Sequence, residues 1–133
     1  MADGLKTVES HFGPKETLDR LEADVKAKGL TVFARIDHAA GATAVGLSLL
    51  PTAVLIFGNA KGGTPLMQSN QLIGIELPLK VLVWQDTSGK TWLSYVDPTD
   101  LAKRYGLPGE TSPAVSNLAG ALRALTAKAA GAE

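Results

Sequence analysis

Apolar residues change their spacing several times along this chain, and each change of period predicts a new element. Gly4 to Ser10 alternates as a short strand, with Leu5 and Thr7 on one face and Lys6 and Val8 on the other. From Pro14 to Lys28 the period turns helical. Leu18, Leu21 and Val25 share a face, Pro14 suits the first helical position, and Gly29 supplies the stop. Acid-to-base pairs at four-residue spacing, Glu16 with Arg20, Glu22 with Lys26 and Asp24 with Lys28, predict a solvated outer face. Thr31 to Asp37 returns to strand, with Val32, Ala34 and Ile36 opposing Thr31, Phe33, Arg35 and Asp37. The Ala- and Gly-rich stretch from His38 to Leu49 reads as a weak helix that is partly loop.

Thr52 to Phe57 is an apolar strand that empties into Gly58-Asn59-Ala60-Lys61-Gly62-Gly63-Thr64-Pro65-Leu66-Met67. There Thr64 and Pro65 suit the N-cap and first position of a short helix, Pro65 to Gln71, whose free amides would face the preceding loop. An irregular stretch, Leu72 to Leu77, follows. Leu79 to Gln85 and Lys90 to Val96 flank Asp86-Thr87-Ser88-Gly89, a hairpin signal, so these strands should pair antiparallel and bring Trp84 and Trp92 onto neighbouring strands. Asp97 caps, Pro98 opens and Gly106 ends a helix through Tyr105. Ser112-Pro113 repeats that start for a terminal helix striped by Val115, Leu118, Leu122 and Leu125, with Gly131 to Glu133 expected to fray. Strands mixed with helices around one mostly antiparallel sheet, without repeat or linker, make residues 1–133 a single α+β domain.

Assembled in this order, the chain resembles the bacterial and archaeal DUF302 family over nearly its full length. The residues that carry the likeness include Gly4-Leu5, Lys28-Gly29-Leu30, Ile36-Asp37-His38-Ala39, Ile56-Phe57-Gly58-Asn59, Gly63-Thr64-Pro65-Leu66-Met67 and Leu77-Pro78-Leu79-Lys80. The resemblance implies a curved antiparallel sheet similar to half of a TATA-binding-protein-like fold, often a homodimer, and no established activity. It leaves localisation open, because members occur with and without export signals. Ala60 stands where many relatives have Pro, which loosens the turn after Asn59.

Charge changes the picture. The chain carries 13 basic and 13 acidic side chains, so it lacks the basic field of a general nucleic-acid binder. Residues 39–96 hold only five of these charges, Lys61, Glu76, Lys80, Asp86 and Lys90, which marks the middle as core, interface or pocket wall. There is no cysteine, which removes thiolate chemistry and Cys-ligated metal sites. Pro51, Pro65 and Pro78 interrupt the apolar centre, so a soluble chain without a membrane span is expected. Met-Ala-Asp-Gly at the start suits a cytoplasmic protein, or a periplasmic or secreted one that has lost a signal peptide.

Candidate chemistry is sparse. His38 could act as a base or ligate a metal, or its ring could bond backbone in a fixed structural corner; Asp37, its neighbour, points to the opposite face of a strand and so cannot orient it unless the strand breaks there. Asn59 could bind a polar group or serve a left-handed turn. Gly58 and Gly63 have the spacing of a phosphate loop, but Thr64 and Pro65 stand where Lys and a hydroxyl residue are required. Only two histidines exist, so His38 with Met67 makes a poor metal or haem pair, and no metal site is expected; the cofactor and any catalytic residue stay unknown. The reading this supports is a dimeric binding module for a small apolar or amphipathic ligand. Its site would join Asp37, His38, Phe57, Gly58, Asn59, Gly63, Thr64 and Met67 at adjoining strand ends. The alternatives are an enzyme that uses His38 and a structural or interaction subunit. The dimer is expected from Leu72, Ile73, Ile75, Leu77, Leu79, Val81 and Val83, more apolar surface than one sheet face covers unless the terminal helix buries it.

Overall fold

The computed structural model describes residues 4–132. Five strands, β1 (Leu5–Ser10), β2 (Thr31–Asp37), β3 (Thr52–Gly58), β4 (Leu79–Gln85) and β5 (Thr91–Val96), form one open antiparallel sheet in the order β1-β5-β4-β3-β2. The helices are α1 (Pro14–Ala27), α2 (His38–Ala44), α3 (Ala60–Ser69), α4 (Pro98–Arg104) and α5 (Ser112–Ala130), with 3₁₀ turns at Gln71–Glu76 and Gly109–Thr111. The architecture is α+β, as the alternation of periods predicts.

The core lies on one face of the sheet. Leu55, Phe57, Val81, Val83 and Leu93 point to that face and pack against Leu18, Leu21 and Val25 of α1 and Leu122 and Leu125 of α5, all buried. A second cluster, Leu66, Ile73, Leu101 and Val115, ties α3 and α4 to the start of α5. The terminal helix is therefore the intramolecular lid. Leu79, Val81 and Val83 are buried beneath the helices and Ile73 beneath its neighbours, while Leu72 and Ile75 are exposed, so the apolar surplus that predicted a homodimer is largely absorbed within the chain.

Several local expectations are corrected. β2 carries a bulge between Val32 and Ala34, so Val32 packs on the core while Ala34 and Ile36 pair with Ile56 and Val54 and face the other side. The outer face of α1 is not wholly solvated. Asp24 is buried, with Lys28 at 3.2 Å and Lys128 of α5 at 3.1 Å, and Arg20 donates to the Lys128 and Ala129 carbonyls rather than pairing with Glu16. At the chain's end, Gly131 takes a φ of 84° and its N–H bonds to the Lys128 carbonyl while Ala132 bonds to Ala127, which closes α5 rather than fraying it; Glu133 lies outside the described residues.

Candidate functional site

The glycine-rich segment after β3 forms one wall of a groove of about 420 Å³, as its residue types suggest. Asn59, not Thr64, is the N-cap: its Oδ1 accepts from Gly62 N at 2.7 Å, so α3 begins five residues earlier than the Thr-Pro pair indicates. Pro65 consequently sits inside the helix, where it cannot donate to the Lys61 carbonyl one turn back. The glycines allow close approach. A Cβ at Gly62 would lie 3.1 Å from Leu118 Cδ2 and 3.2 Å from Asn59 Oδ1, and one at Gly74 would lie 3.2 Å from Met67 Sδ. Leu77, Pro78 and Leu79 close a second side, with a cis bond between Leu77 and Pro78, and Asn117, Leu118 and Ala121 of α5 close a third.

Of the residues expected to form a site, Gly58, Asn59, Gly63 and Met67 line this groove. Phe57 is fully buried in the core on the strand leading to it, and Thr64 is exposed outside the lining. Asp37 and His38 lie elsewhere. Thr31 pairs with Gly58 and Asp37 with Ala53, so His38 and Asn59 stand at opposite ends of β3, on the order of 20 Å apart at the rise of a strand. The joint site is thereby excluded. Asp37 caps α2 by accepting from Ala40 N at 2.9 Å, and His38 is exposed on the first turn of that helix, so it is not a buried corner either. Sequence reasoning missed Leu77, Pro78, Asn117 and Leu118, which reach the groove only through tertiary packing and carry no local signal.

No residue lining the groove titrates, so its walls offer neither a general acid nor a base. Among the described residues there is no group of three or more His, Asp or Glu placed to hold a metal. Shifted groups occur elsewhere. Asp86, in the β4–β5 turn, is held down at about 2, chiefly because it accepts from Trp92 Nε1 and Ser88. Hydrogen bonding to Glu76 pushes the Tyr105 phenol up, and Arg35 with Lys15 and Lys26 holds Asp19 and Glu22 down. These are structural pairs at the surface, not a converging site.

A family model for a domain of unknown function, DUF302, matches residues 6–125. The chain belongs to the DUF302 family. A crystal structure of an uncharacterized conserved DUF302 protein from Bacillus stearothermophilus superposes with a TM-score of 0.74 at 26% identity, covering 98% of each chain. This DUF302 domain is also 44% identical over 128 residues to a fluoride-specific ion channel, FluC 1, of Brucella suis biovar 1 (strain 1330), covering 96% of this chain and 50% of that protein. It has the same identity to FluC 1 of Brucella abortus biovar 1 (strain 9-941), covering 47% of that protein. The chain thus spans about half the length of the curated relatives it matches.

Those names overturn the expectation of a soluble, dimeric binding module for a small apolar or amphipathic ligand, and they conflict with the expectation of no membrane span. The weakly charged middle of the chain suggests a pocket wall, but the fold uses much of it, including Leu55, Phe57, Val81 and Val83, as core. Among the described residues, no helix is long and apolar enough to cross a membrane.

Proposed function

We propose that this DUF302 domain serves a fluoride channel as an extramembrane part of it, while the conducting path belongs to the portion of the Brucella relatives that the chain does not match. The observation that carries this is the pairing of 44% identity over nearly the whole chain with coverage of only half of a protein named as a channel. The fold supports the division of labour. Fluoride is a small, strongly hydrated anion, and a path for it needs a lined pore with donors or cations that replace its water. Here five strands and their helices enclose a packed core, and the groove is walled by apolar residues, Phe33 and Met67 among them, with Asn59 and Asn117 as its polar side chains. In this reading the domain anchors, assembles or regulates the channel.

The test is association. The unmatched half of the Brucella suis relative, purified in detergent, should retain this chain when the two are mixed or joined. Failure to associate, combined with identical fluoride flux from that half in the presence and absence of the chain, overturns the assignment.

A further inference from the structure

One stretch of this molecule lacks both charge and cover. From His38 to Ala60 the sequence contains no Asp, Glu, Lys or Arg. Most of that stretch before β3 is exposed, including Val45 (72%), Leu47 (67%), Leu49 (50%) and Leu50 (45%). Singly exposed apolar residues are ordinary, but four large ones within six positions form a ridge. The ridge feeds directly into Thr52, which pairs with Trp84, which pairs in turn with Trp92. The two indoles stack with centroids 6.2 Å apart on the sheet face opposite the helices, half-buried. Their N–H groups are already engaged, Trp84 Nε1 with Ser94 Oγ and Trp92 Nε1 with Asp86 Oδ2, each at 2.9 Å.

We infer that this end of the sheet, the Val45–Leu50 ridge flanked by Trp84 and Trp92, docks the domain onto a lipid surface. The inference rests on the channel reading above, which places the homologous domain beside a bilayer. Two further features favour lipid over a protein partner. A protein interface normally surrounds its apolar centre with a polar rim that fixes register, whereas Val45 to Pro51 carries Ser48 as its one polar side chain, with Thr52 and Asp86 on the tryptophan side alone. Indole rings beside an aliphatic patch suit the headgroup boundary, where apolar area partitions inward. The mode of docking is shallow. Leu47 to Leu50 has no regular secondary structure, so its backbone polar groups must stay at headgroup depth while the side chains dip below. With no basic residue in the ridge, attachment is driven by apolar area and not by anionic lipid.

The experiment uses the chain alone with phosphatidylcholine vesicles, following co-sedimentation and quenching of its two tryptophans by brominated acyl chains. Binding is expected on neutral vesicles, changing less than about twofold when anionic lipid or salt is added. The double variant Leu47→Asp with Leu49→Asp should bind at least about tenfold more weakly. Its melting temperature should be unchanged, and Leu47→Ser with Leu49→Ser serves as the milder pair. Absence of binding to any vesicle overturns the inference, as does binding only to anionic vesicles that salt abolishes. It is equally overturned if the substitutions abolish self-association in lipid-free solution, which would make a second copy the cover. A negative vesicle result with association to the channel half intact would remove this inference alone and leave the channel reading standing.

Discussion

The two faces of the sheet differ far less in composition than in cover. On one face Leu55, Phe57, Val81, Val83 and Leu93 are fully buried under α1 and α5; on the other Val54, Ile56, Leu82, Trp84 and Trp92 are nearly as apolar yet only half-buried. A strand exposed to water on one side usually alternates apolar with polar, whereas β3 reads apolar on both, like a strand buried from both sides. The helices satisfy one face. The other is a surface whose residue types call for a partner that the described residues do not supply, and the ridge at its edge extends that surface.

The largest effect should mark the covered face. Leu55→Ala should cost about 2–5 kcal/mol in denaturant unfolding, while Leu82→Ala, with partial exposure to begin with, should cost about 1 kcal/mol. Equal losses would show that both faces are packed. Next comes the lid's fastening. Gly131→Ala forces a side chain into a left-handed position with its Cβ 2.7 Å from the Phe12 ring, so a loss of about 2 kcal/mol is expected in thermal or chemical melting.

A smaller effect belongs to the clamp between α1 and α5. Burial raises the Asp24 carboxyl's pKa, but bonds from Lys128 and Lys28 outweigh that and leave it below its ordinary value. A depressed carboxylate stabilises the fold fully above its unfolded value, about 4, and that contribution is lost as pH falls through the lower folded value. Asp24→Asn should therefore cost about 1 kcal/mol at neutral pH and shrink the drop in stability seen on acidification below about pH 4, measured as unfolding midpoint against pH. The smallest effect is expected at His38, exposed and far from the groove: His38→Ala should change stability by less than about 0.5 kcal/mol. A larger loss would show that the histidine holds the ridge's base.

Much of this contrast can be read from residue order. The Asp86–Gly89 turn, the Asp97 cap and the stripes of α1 and α5 are local signals, and they place the strands and helices correctly. What escaped depends on partners distant in sequence. Thr64-Pro65 looks like a helix start, yet Asn59 wins the cap because it lies at the strand's end with its side-chain Oδ1 accepting from Gly62 N. The bulge at Phe33 reverses the faces of Ala34 and Ile36, and no residue type announces it. His38 and Asn59 both follow strands, but antiparallel pairing of β2 with β3 sends those two strand ends to opposite ends of the pair. Alternation states that a strand has two faces; it does not say which one the helices take.

The central claim, a channel's extramembrane domain and not its pore, is tested most directly by fluoride efflux from loaded vesicles. Vesicles carrying this chain alone should release no more fluoride than empty ones, and those carrying the unmatched half of the Brucella suis relative should release it selectively over chloride. Selective efflux through the chain alone would contradict the account.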